Sequence, residues 1–193
     1  METLFRAIQT LQQRLDKAGI PSVVIGGVAL GTWGNPRLTR DVDLKVLLTR
    51  EDADRLLSLL SPDYVSLLPN PQLVLRQQAL LFVTDQNGVR FDLLLAETAY
   101  DHEAIRRGRE VEAAPGITIR LCSPEDLIIY KLISTRARDY EDAQSVVHRR
   151  GDALDDRYVI KWLRQFELAL DDSTLVTQYQ QWRYQQRRWR SVQ

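Results

Sequence analysis

Two aspartates separated by one residue, Asp41 and Asp43, are the residues of this sequence whose type and spacing could support catalysis. They follow Arg37, Thr39 and Arg40 and open an apolar run. Residues i and i+2 of a strand point to the same face, so both carboxylates project together. Like charges this close repel unless a cation lies between them or one is protonated. Mg²⁺ is the natural cation, because it prefers oxygen ligands and keeps positions open for phosphate.

A third acid, Asp92, lies in the apolar segment VRFDLLLA directly after a predicted hairpin. Burial of a carboxylate there is costly without a cation. Phosphoryl or nucleotidyl transfer with two metal ions uses carboxylates that bridge ions roughly 4 Å apart. The alternative is structural: Asp41 caps a strand, while Asp43 and Asp92 pair with Arg40 or Arg90. The Asp-x-Asp pair alone is a common pattern, and the surrounding residues favour the metal site.

Two glycines, Gly26 and Gly27, end a short apolar segment about 15 residues before the aspartates. A strand that turns there into a helix presents free backbone N–H groups and the positive helix end to an anion. We interpret the turn as a site for the phosphates of a nucleotide, although two glycines can also simply ease a strand–helix corner. Arg37 and Arg40 either clamp phosphates or form surface salt bridges, and the sequence leaves both open.

The elements that must position these residues follow from periodicity and turn signals. An Asn-Gly pair at Asn87 and Gly88 predicts a hairpin between two strands. Pro69 and Pro71 predict a loop after an edge strand. The predicted helices of this half span residues 2–18, 28–33, 51–60 and 98–108. The predicted strands span 22–25, 40–48, 64–68, 78–84 and 89–95, with one or two more within 110–121.

From Ser123 onward the pattern is helical only, beginning with the helix-start signature Ser-Pro-Glu-Asp. Helices are predicted over 124–135, 139–149, 156–169 and 173–189. The fold class is therefore α+β: a mixed, twisted β-sheet core flanked by helices and followed by a C-terminal helical subdomain. We place the core in residues 1–121 and the helical subdomain, packed against it, in 122–193.

In the helical half, Lys131 lies among apolar residues on a predicted helix, where a lysine can extend its ammonium group to solvent. Asp139 and Asp142 are three residues apart and share one helical face. They could orient the lysine, help a substrate hydroxyl lose its proton, or cap the helix 139–149.

The segment GGVALGTWGNPRLTRDVDL resembles the signature of the DNA polymerase β-type nucleotidyltransferase superfamily, and within it the AbiEii-like and related minimal nucleotidyltransferases of prokaryotes. The segment SPEDLIIYKLISTRARDYEDAQSVV resembles the second motif of the same families. Together the motifs cover roughly residues 20 to 150. The residues that match are Gly26, Gly27, Gly34, Arg37, Thr39, Asp41, Asp43, Asp92, Lys131, Arg136, Asp139 and Asp142.

The resemblance implies a five-stranded mixed sheet, a nucleoside triphosphate and two Mg²⁺ ions held by three carboxylates. It implies transfer of a nucleoside monophosphate to a hydroxyl, and it favours Lys131 as a residue that reaches the phosphates. Many members carry serine where this chain has Val28, which leaves the substrate open. The implied catalytic residues are Asp41, Asp43, Asp92, Lys131 and Asp142; the implied nucleotide-binding residues are Gly26, Gly27, Arg37, Thr39, Arg40, Lys131 and Asp139.

In the AbiEii-like group the acceptor is often the end of a transfer RNA, and the protein is a toxin with a cognate antitoxin. That resemblance makes RNA and an antitoxin protein the expected partners. Two alternatives stay open: nucleotidylation of a small molecule such as an aminoglycoside or of a protein side chain, and a catalytically silent module that binds a nucleotide or a partner.

The composition is that of a soluble globular protein with no net charge. No apolar run approaches the ~20 residues that cross a bilayer, and the amino terminus lacks the pattern of a signal peptide. The single cysteine, Cys122, fits a reducing compartment and predicts a buried thiol. We therefore expect a cytoplasmic protein without a membrane partner.

The carboxyl-terminal tail is basic and aromatic, with four arginines and no acid from Ser173 onward. Tyr179, Trp182, Gln186 and Trp189 recur at helical spacing and share one face. Such a stripe usually packs against the core or a partner. The neighbouring arginines could instead bind RNA phosphates while the aromatic rings stack on bases.

Overall fold

A mixed β-sheet lies at the centre of the first half of the chain. The structure is a computed structural model that describes residues 1–39, 41–134 and 136–190, with side chains up to residue 188. Within these ranges the sheet has seven strands in the order β3-β4-β5-β2-β1-β7-β6. They are β1 (Ser22–Val24), β2 (Asp41–Val46), β3 (Tyr64–Ser66), β4 (Leu80–Asp85), β5 (Arg90–Leu95), β6 (Arg109–Ala114) and β7 (Ile117–Leu121).

Helices surround the sheet and then make up the rest of the chain, so the predicted α+β class is confirmed. α1 packs against β1 and β7, α4 against β4, and α5 against β1 and β2. No helix of the described residues has the length and apolar character needed to cross a membrane. The helices are α1 (Glu2–Lys17), α2 (Gly26–Trp33), α3 (Ala53–Leu60), α4 (Pro71–Gln78), α5 (Ala99–Arg106), α6 (Pro124–Leu132), α7 (Ala137–Arg150), α8 (Asp156–Leu170) and α9 (Leu175–Arg190).

The central strands β2 and β5 run parallel and alternate strictly between a buried and a half-buried face. Val42, Leu44 and Val46 of β2 are buried, as are Phe91 and Leu93 of β5. The period of two therefore leaves the polar residues of both strands on the opposite face of the sheet. That face carries Asp41, Asp43, Lys45 and Asp92.

The sheet is larger than the family resemblance implied, whereas its seven strands agree with the six or seven that the residue pattern predicted, including those within 64–68 and 110–121. The resemblance implied five strands, whereas the described residues form seven, because Tyr64–Ser66 adds an edge beside β4 and the segment 109–121 folds as a complete hairpin. The positive φ at Gly116, +69°, allows the turn between β6 and β7.

Helix α4 is a second difference, because its segment was predicted as a loop on account of Pro69 and Pro71. Pro71 is the first residue of the helix, a position where the missing N–H has no helical partner to lose. Asn70 precedes it in the left-handed conformation, and Leu75 is fully buried. The burial of Leu75 thus stabilises a short helix in a segment that the two prolines led us to predict as a loop.

In the helical half, α9 packs through its aromatic face. Tyr179, Trp182 and Gln186 are buried, and the ring of Trp182 meets that of Tyr140 edge to face with centroids 6.3 Å apart. The carboxylate of Asp156 accepts hydrogen bonds from α9, among them one from Tyr179 Oη at 2.5 Å. The predicted stripe is thus a packing surface up to Gln186; the side chain of Trp189 lies outside the described residues.

The chain divides into two compact units, which we describe separately. The first comprises Met1–Val28 and Leu38–Cys122, and the second comprises Ala29–Arg37 and Ser123–Gln193. The sequence-based division assigned residues 29–37 to the first unit, but in the structure they group with the helices. Cys122, the last residue of the first unit, is buried, as predicted.

Candidate functional site

The three predicted metal ligands lie on one face of the sheet. Asp43 of β2 is directly opposite Asp92 of β5 in the parallel register, and Asp41 is opposite Arg90. Directly opposed residues on neighbouring strands project from the same face, as do residues two apart on one strand. The structure therefore brings the three carboxylates together on two adjacent strands, each of them half-buried.

Asp92 is bound by an arginine. Its Oδ1 accepts a hydrogen bond from Arg90 Nε at 2.8 Å, and its Oδ2 accepts one from Arg90 Nη2 at 3.1 Å. The Asp92 hydrogen bond and the negative charges of Asp92, Asp41 and Asp43 raise the pKa of Arg90. For Asp92, the structural alternative considered from the sequence is thus present in the structure.

The glycine turn packs directly against this face. Gly26 has φ +63°, and a Cβ atom there would lie 1.9 Å from Asp43 Oδ2. A Cβ on Gly27 would lie 2.8 Å from Thr39 Oγ1. The Thr39 hydroxyl in turn donates to Asp41 Oδ1 at 3.2 Å. The two glycines are therefore required by the close approach of Asp43 and Thr39, whatever they also bind.

The carboxylates fit Mg²⁺ in their donor chemistry and in their register on the sheet. In the described part of the chain, however, no group of three or more His, Cys, Asp or Glu side chains is already arranged to hold a metal ion. Asp92, with both oxygens bonded to Arg90, is the member of the set that would have to change partner. That Asp41, Asp43 and Asp92 hold a cation stays a prediction.

A lysine on the same face was not identified from the sequence. Lys45 follows Asp43 by two residues, and its Nζ lies 2.9 Å from Asp101 Oδ1 of α5. The spacing of two residues within the strand is the signal that could have placed it beside the aspartates. Arg40, predicted to bind nucleotide, lies outside the described residues.

The second unit holds a separate buried group of charges around Lys131. The ammonium of Lys131 donates to Asp142 Oδ2 at 2.9 Å and to Asp139 Oδ1. Arg37 Nε lies 3.3 Å from Asp142 Oδ2. Lys131, Asp139 and Asp142 are each less than 10% exposed, so the ammonium does not extend to solvent. Four residues predicted from the two motifs are thus brought together within one unit.

Asp139 is held in its charged form. Burial alone would raise its pKa, but hydrogen bonds from Lys131 and Ser134, with the charges of Lys131 and Arg136, lower the pKa below its ordinary value. Ser134 Oγ donates to Asp139 Oδ2 at 2.6 Å. Apart from its position just before α7, Ser134 carries no sequence signal that predicts this contact. The group is therefore a charge network that holds the lysine in one place.

No protein-family model matches the chain, and no curated protein matches it in sequence. Solved structures do match its fold.

One of them is an antigenic nucleotidyltransferase-like protein from Paracoccidioides brasiliensis, 18% identical with a TM-score of 0.52, in which the match covers 90% of this chain and 92% of that chain. The antibiotic-resistance factor ANT(2'')-Ia is 16% identical with a TM-score of 0.58, covering 88% and 96%. The lincosamide antibiotic adenylyltransferase LnuA, in its lincomycin-bound form, is 11% identical with a TM-score of 0.50, covering 76% and 96%. At such low identity the likeness shows a shared fold alone, and closeness to the AbiEii-like group stays a prediction.

Proposed function

We propose, from the premise that this chain has the nucleotidyltransferase fold, that it transfers a nucleoside monophosphate from a nucleoside triphosphate to a hydroxyl acceptor. The observation that carries the proposal is the register of β2 and β5, which sets Asp43 opposite Asp92 with Asp41 on the same face. A purely structural sheet has no need for three half-buried carboxylates side by side, because their mutual repulsion destabilises it.

In this proposal Asp41 and Asp43 hold two Mg²⁺ ions and Asp92 holds one of them. When bound there, Mg²⁺ stabilises negative charge on the phosphate oxygens and lowers the pKa of the attacking hydroxyl. The residues around the carboxylates bind the triphosphate. Gly26 and Gly27 are the first residues of α2, and their backbone N–H groups are suited to bind a phosphate. Thr39 orients Asp41 through the hydrogen bond from its hydroxyl.

For the second unit we propose that Lys131 binds phosphate as a point charge. Asp139 and Arg37 belong to the same nucleotide-binding group. Asp139 and Asp142 hold the ammonium in position, which limits its loss of freedom on binding. Asp142 is in addition the residue we propose to accept a proton from the acceptor hydroxyl.

The first acceptor we propose is RNA, such as the end of a transfer RNA, with the chain acting as a cytoplasmic toxin controlled by an antitoxin protein. A small-molecule acceptor is the second candidate, and two observations favour it. Two of the structural neighbours are an antibiotic-resistance factor and an antibiotic adenylyltransferase. In addition, Arg183 and Arg187 of the basic tail are bonded to Asp156, which offsets part of the positive charge that would attract RNA phosphates.

The experiment that tests the proposal is a transfer assay with each of the four α-labelled ribonucleoside triphosphates. The protein and Mg²⁺ are incubated with total RNA, with a panel of aminoglycosides and lincosamides, or with a mixture of proteins. We expect label to appear in one acceptor class and Asp41→Asn to reduce transfer by at least about 100-fold. If no acceptor is labelled, or if Asp41→Asn matches the unaltered protein, the chain is not a nucleotidyltransferase.

A catalytically silent module is separated from an enzyme by thermal unfolding. An enzyme that uses carboxylate-bound metal should gain more stability from a triphosphate with Mg²⁺ than from the triphosphate with a chelator. Equal shifts in the two conditions would favour a nucleotide-binding module that does not use the three carboxylates.

A further inference from the structure

Arg90 occupies the position on the sheet where the carboxylates need a positive charge. It lies opposite Asp41 in the register of β2 and β5, and two residues before Asp92 on the same face. Both of its hydrogen bonds to Asp92 have good length, at 2.8 and 3.1 Å, and together they form a two-pronged pair. Such a pair engages both oxygens of the carboxylate at once.

The guanidinium of Arg90 also has a second support. Its Cζ lies 4.9 Å from the centroid of the Phe82 ring, and Phe82 is the β4 residue directly opposite Asp92. An arginine in that position is attracted to the face of the ring. The side chain of Arg90 is 44% exposed, whereas that of Asp92 is 14% exposed. The arginine can therefore move towards solvent or stay on the ring, while the carboxylate is held by its strand.

We propose that Arg90 and the divalent cation compete for Asp92. In the metal-free protein, Arg90 neutralises the third carboxylate; when the metal binds, Arg90 releases Asp92 and rests on Phe82. The reason is electrostatic, because the guanidinium and the divalent cation are both positive and repel each other when they bind the same carboxylate. Arg90 is thus a positioning residue that sets the metal affinity of the site. This inference rests on the proposed function, because it requires the carboxylates to hold metal.

The test is a titration with Mn²⁺, used as a paramagnetic probe of the magnesium site, on the full chain and on Arg90→Gln. The free Mn²⁺ is measured by electron paramagnetic resonance, without substrate or turnover. Removal of the competing cation should lower the apparent Kd for Mn²⁺ by about threefold to tenfold, the size expected for the loss of one charged pair.

Arg50→Gln is the matched control. Arg50 forms a similar two-pronged pair with Glu97, at 2.5 and 2.8 Å, and follows the other end of β2. Its loss should leave the Kd for Mn²⁺ unchanged.

An unchanged Kd in Arg90→Gln would overturn the inference, because it would mean that Arg90 and metal do not compete. Weaker binding would also overturn it, because Arg90 would then help to hold Asp92 in place for the metal. If the unaltered protein binds no Mn²⁺, or if Asp41→Asn leaves its Mn²⁺ binding unchanged, the metal site itself is wrong and the proposed function fails with it. Binding that depends on Asp41 but is insensitive to Arg90 rejects the competition alone.

A spectroscopic measurement on the unaltered protein covers the case in which Arg90→Gln does not fold. The side-chain Nε–H signal of Arg90, assigned by its loss in Arg90→Lys, should shift when Mg²⁺ and a non-hydrolysable triphosphate are added, while that of Arg50 should not. A signal of Arg90 that is unmoved at saturating Mg²⁺ would overturn the inference.

Discussion

At the scale of single residues, Gly26 shows how one backbone position constrains the carboxylate face. Its φ of +63° disfavours any residue with a side chain, and the Asp43 carboxylate fills the space that a Cβ would need. Gly19 provides a comparison, because it has φ +69° with nothing within 4 Å of a Cβ position. The two glycines thus share a conformation and differ in their surroundings.

We expect Gly19→Ala to lower the free energy of unfolding by about 1–2 kcal/mol, the cost of the left-handed conformation alone. Gly26→Ala should cost roughly 1–3 kcal/mol more, because Asp43 must also move. Urea denaturation of the two variants measures the difference. Equal losses would show that Asp43 can move away from a Cβ without cost. A Gly26→Ala variant that folds should also lose metal binding, since Asp43 is displaced.

Lys131 raises a different question at the same scale, since its burial has both a structural and a chemical consequence. Two carboxylates surround its ammonium, so Lys131→Met removes the cation that Asp139 and Asp142 share. We expect that variant to lose about 3–5 kcal/mol of stability, measured by chemical denaturation.

A triple variant separates the two roles of Lys131. When Asp139→Asn and Asp142→Asn accompany Lys131→Met, the buried charges are removed and most of the stability should return. If Lys131 binds phosphate, the triple variant should still bind triphosphate at least about tenfold more weakly than the unaltered protein. Full recovery of triphosphate affinity together with stability would assign the network a structural role only.

At the scale of elements, local signals predicted most of the structure, and the exceptions have physical reasons. The hairpin at Asn87 and Gly88 and the start of α6 at Ser123 depend on contacts between near neighbours, and both were predicted. Helix α4 depends on the burial of Leu75 by distant residues, which no local pattern contains. The meeting of Arg37 with Asp142 likewise joins residues far apart in sequence. The residue pattern did not predict that Arg37 and Asp142 belong to one site; only the family resemblance implied it.

Where α9 packs against the start of α8, several polar side chains surround the carboxylate of Asp156. Its carboxylate accepts hydrogen bonds from Tyr179, Arg183 and Arg187. Burial would raise the pKa of Asp156, but the hydrogen bonds from Arg183 and Tyr179 and the arginine charges lower the pKa below its ordinary value. Burial, and the hydrogen bond to Asp156, raise the pKa of Tyr179, so its hydroxyl stays a donor.

We expect Asp156→Asn to destabilise the protein by about 1–3 kcal/mol at pH 7, measured by chemical denaturation. A carboxyl with a lowered folded-state pKa contributes stability above its unfolded pKa, about 3.9, and loses it as the pH falls through the lower folded value. The difference between the variant and the unaltered protein should therefore be constant from pH 7 to about 4 and shrink below it.

Asp152→Asn is the control for Asp156→Asn. Asp152 lies 3.6 Å from Arg183 Nη2, but its side chain is 67% exposed. Its removal should cost less than about 0.5 kcal/mol at any pH. A loss of stability as large as that of Asp156→Asn would contradict the assignment of Asp156 as the main acidic partner of Arg183.

At the scale of the whole molecule, the two units are not consecutive in the chain. Residues Ala29–Arg37 interrupt the first unit and belong to the second, in which Gly34 packs against Leu30 and Val146. The guanidinium of Arg150 lies over the ring of Trp33, 5.3 Å from its centroid. A cut between Cys122 and Ser123 therefore separates Leu30 and Trp33 from the residues that bury them.

We expect a fragment of residues 1–122 to expose these apolar side chains, to bind a hydrophobic dye and to aggregate. The matched control is the same fragment with residues 29–36 replaced by a Gly/Ser linker of equal length, which should stay soluble. Analytical size exclusion and dye fluorescence compare the two. Equal solubility would show that the segment packs within the first unit.

The position of β1 in the sheet has a consequence for the nascent chain on the ribosome. β1 lies between β2 and β7, and its parallel partner β7 begins only after five other strands and four α-helices in the sequence. Val24 pairs with Leu121, and Cys122 N donates to Val24 O at 2.9 Å. At translation rates of about 5–20 residues per second, β1 waits roughly 5 to 20 seconds for β7. During that interval one edge of β1, a strand whose residues are all buried in the folded protein, is open to pairing with other chains. Slower translation before Leu121 should therefore raise the demand for chaperones, whereas slower translation after it should not.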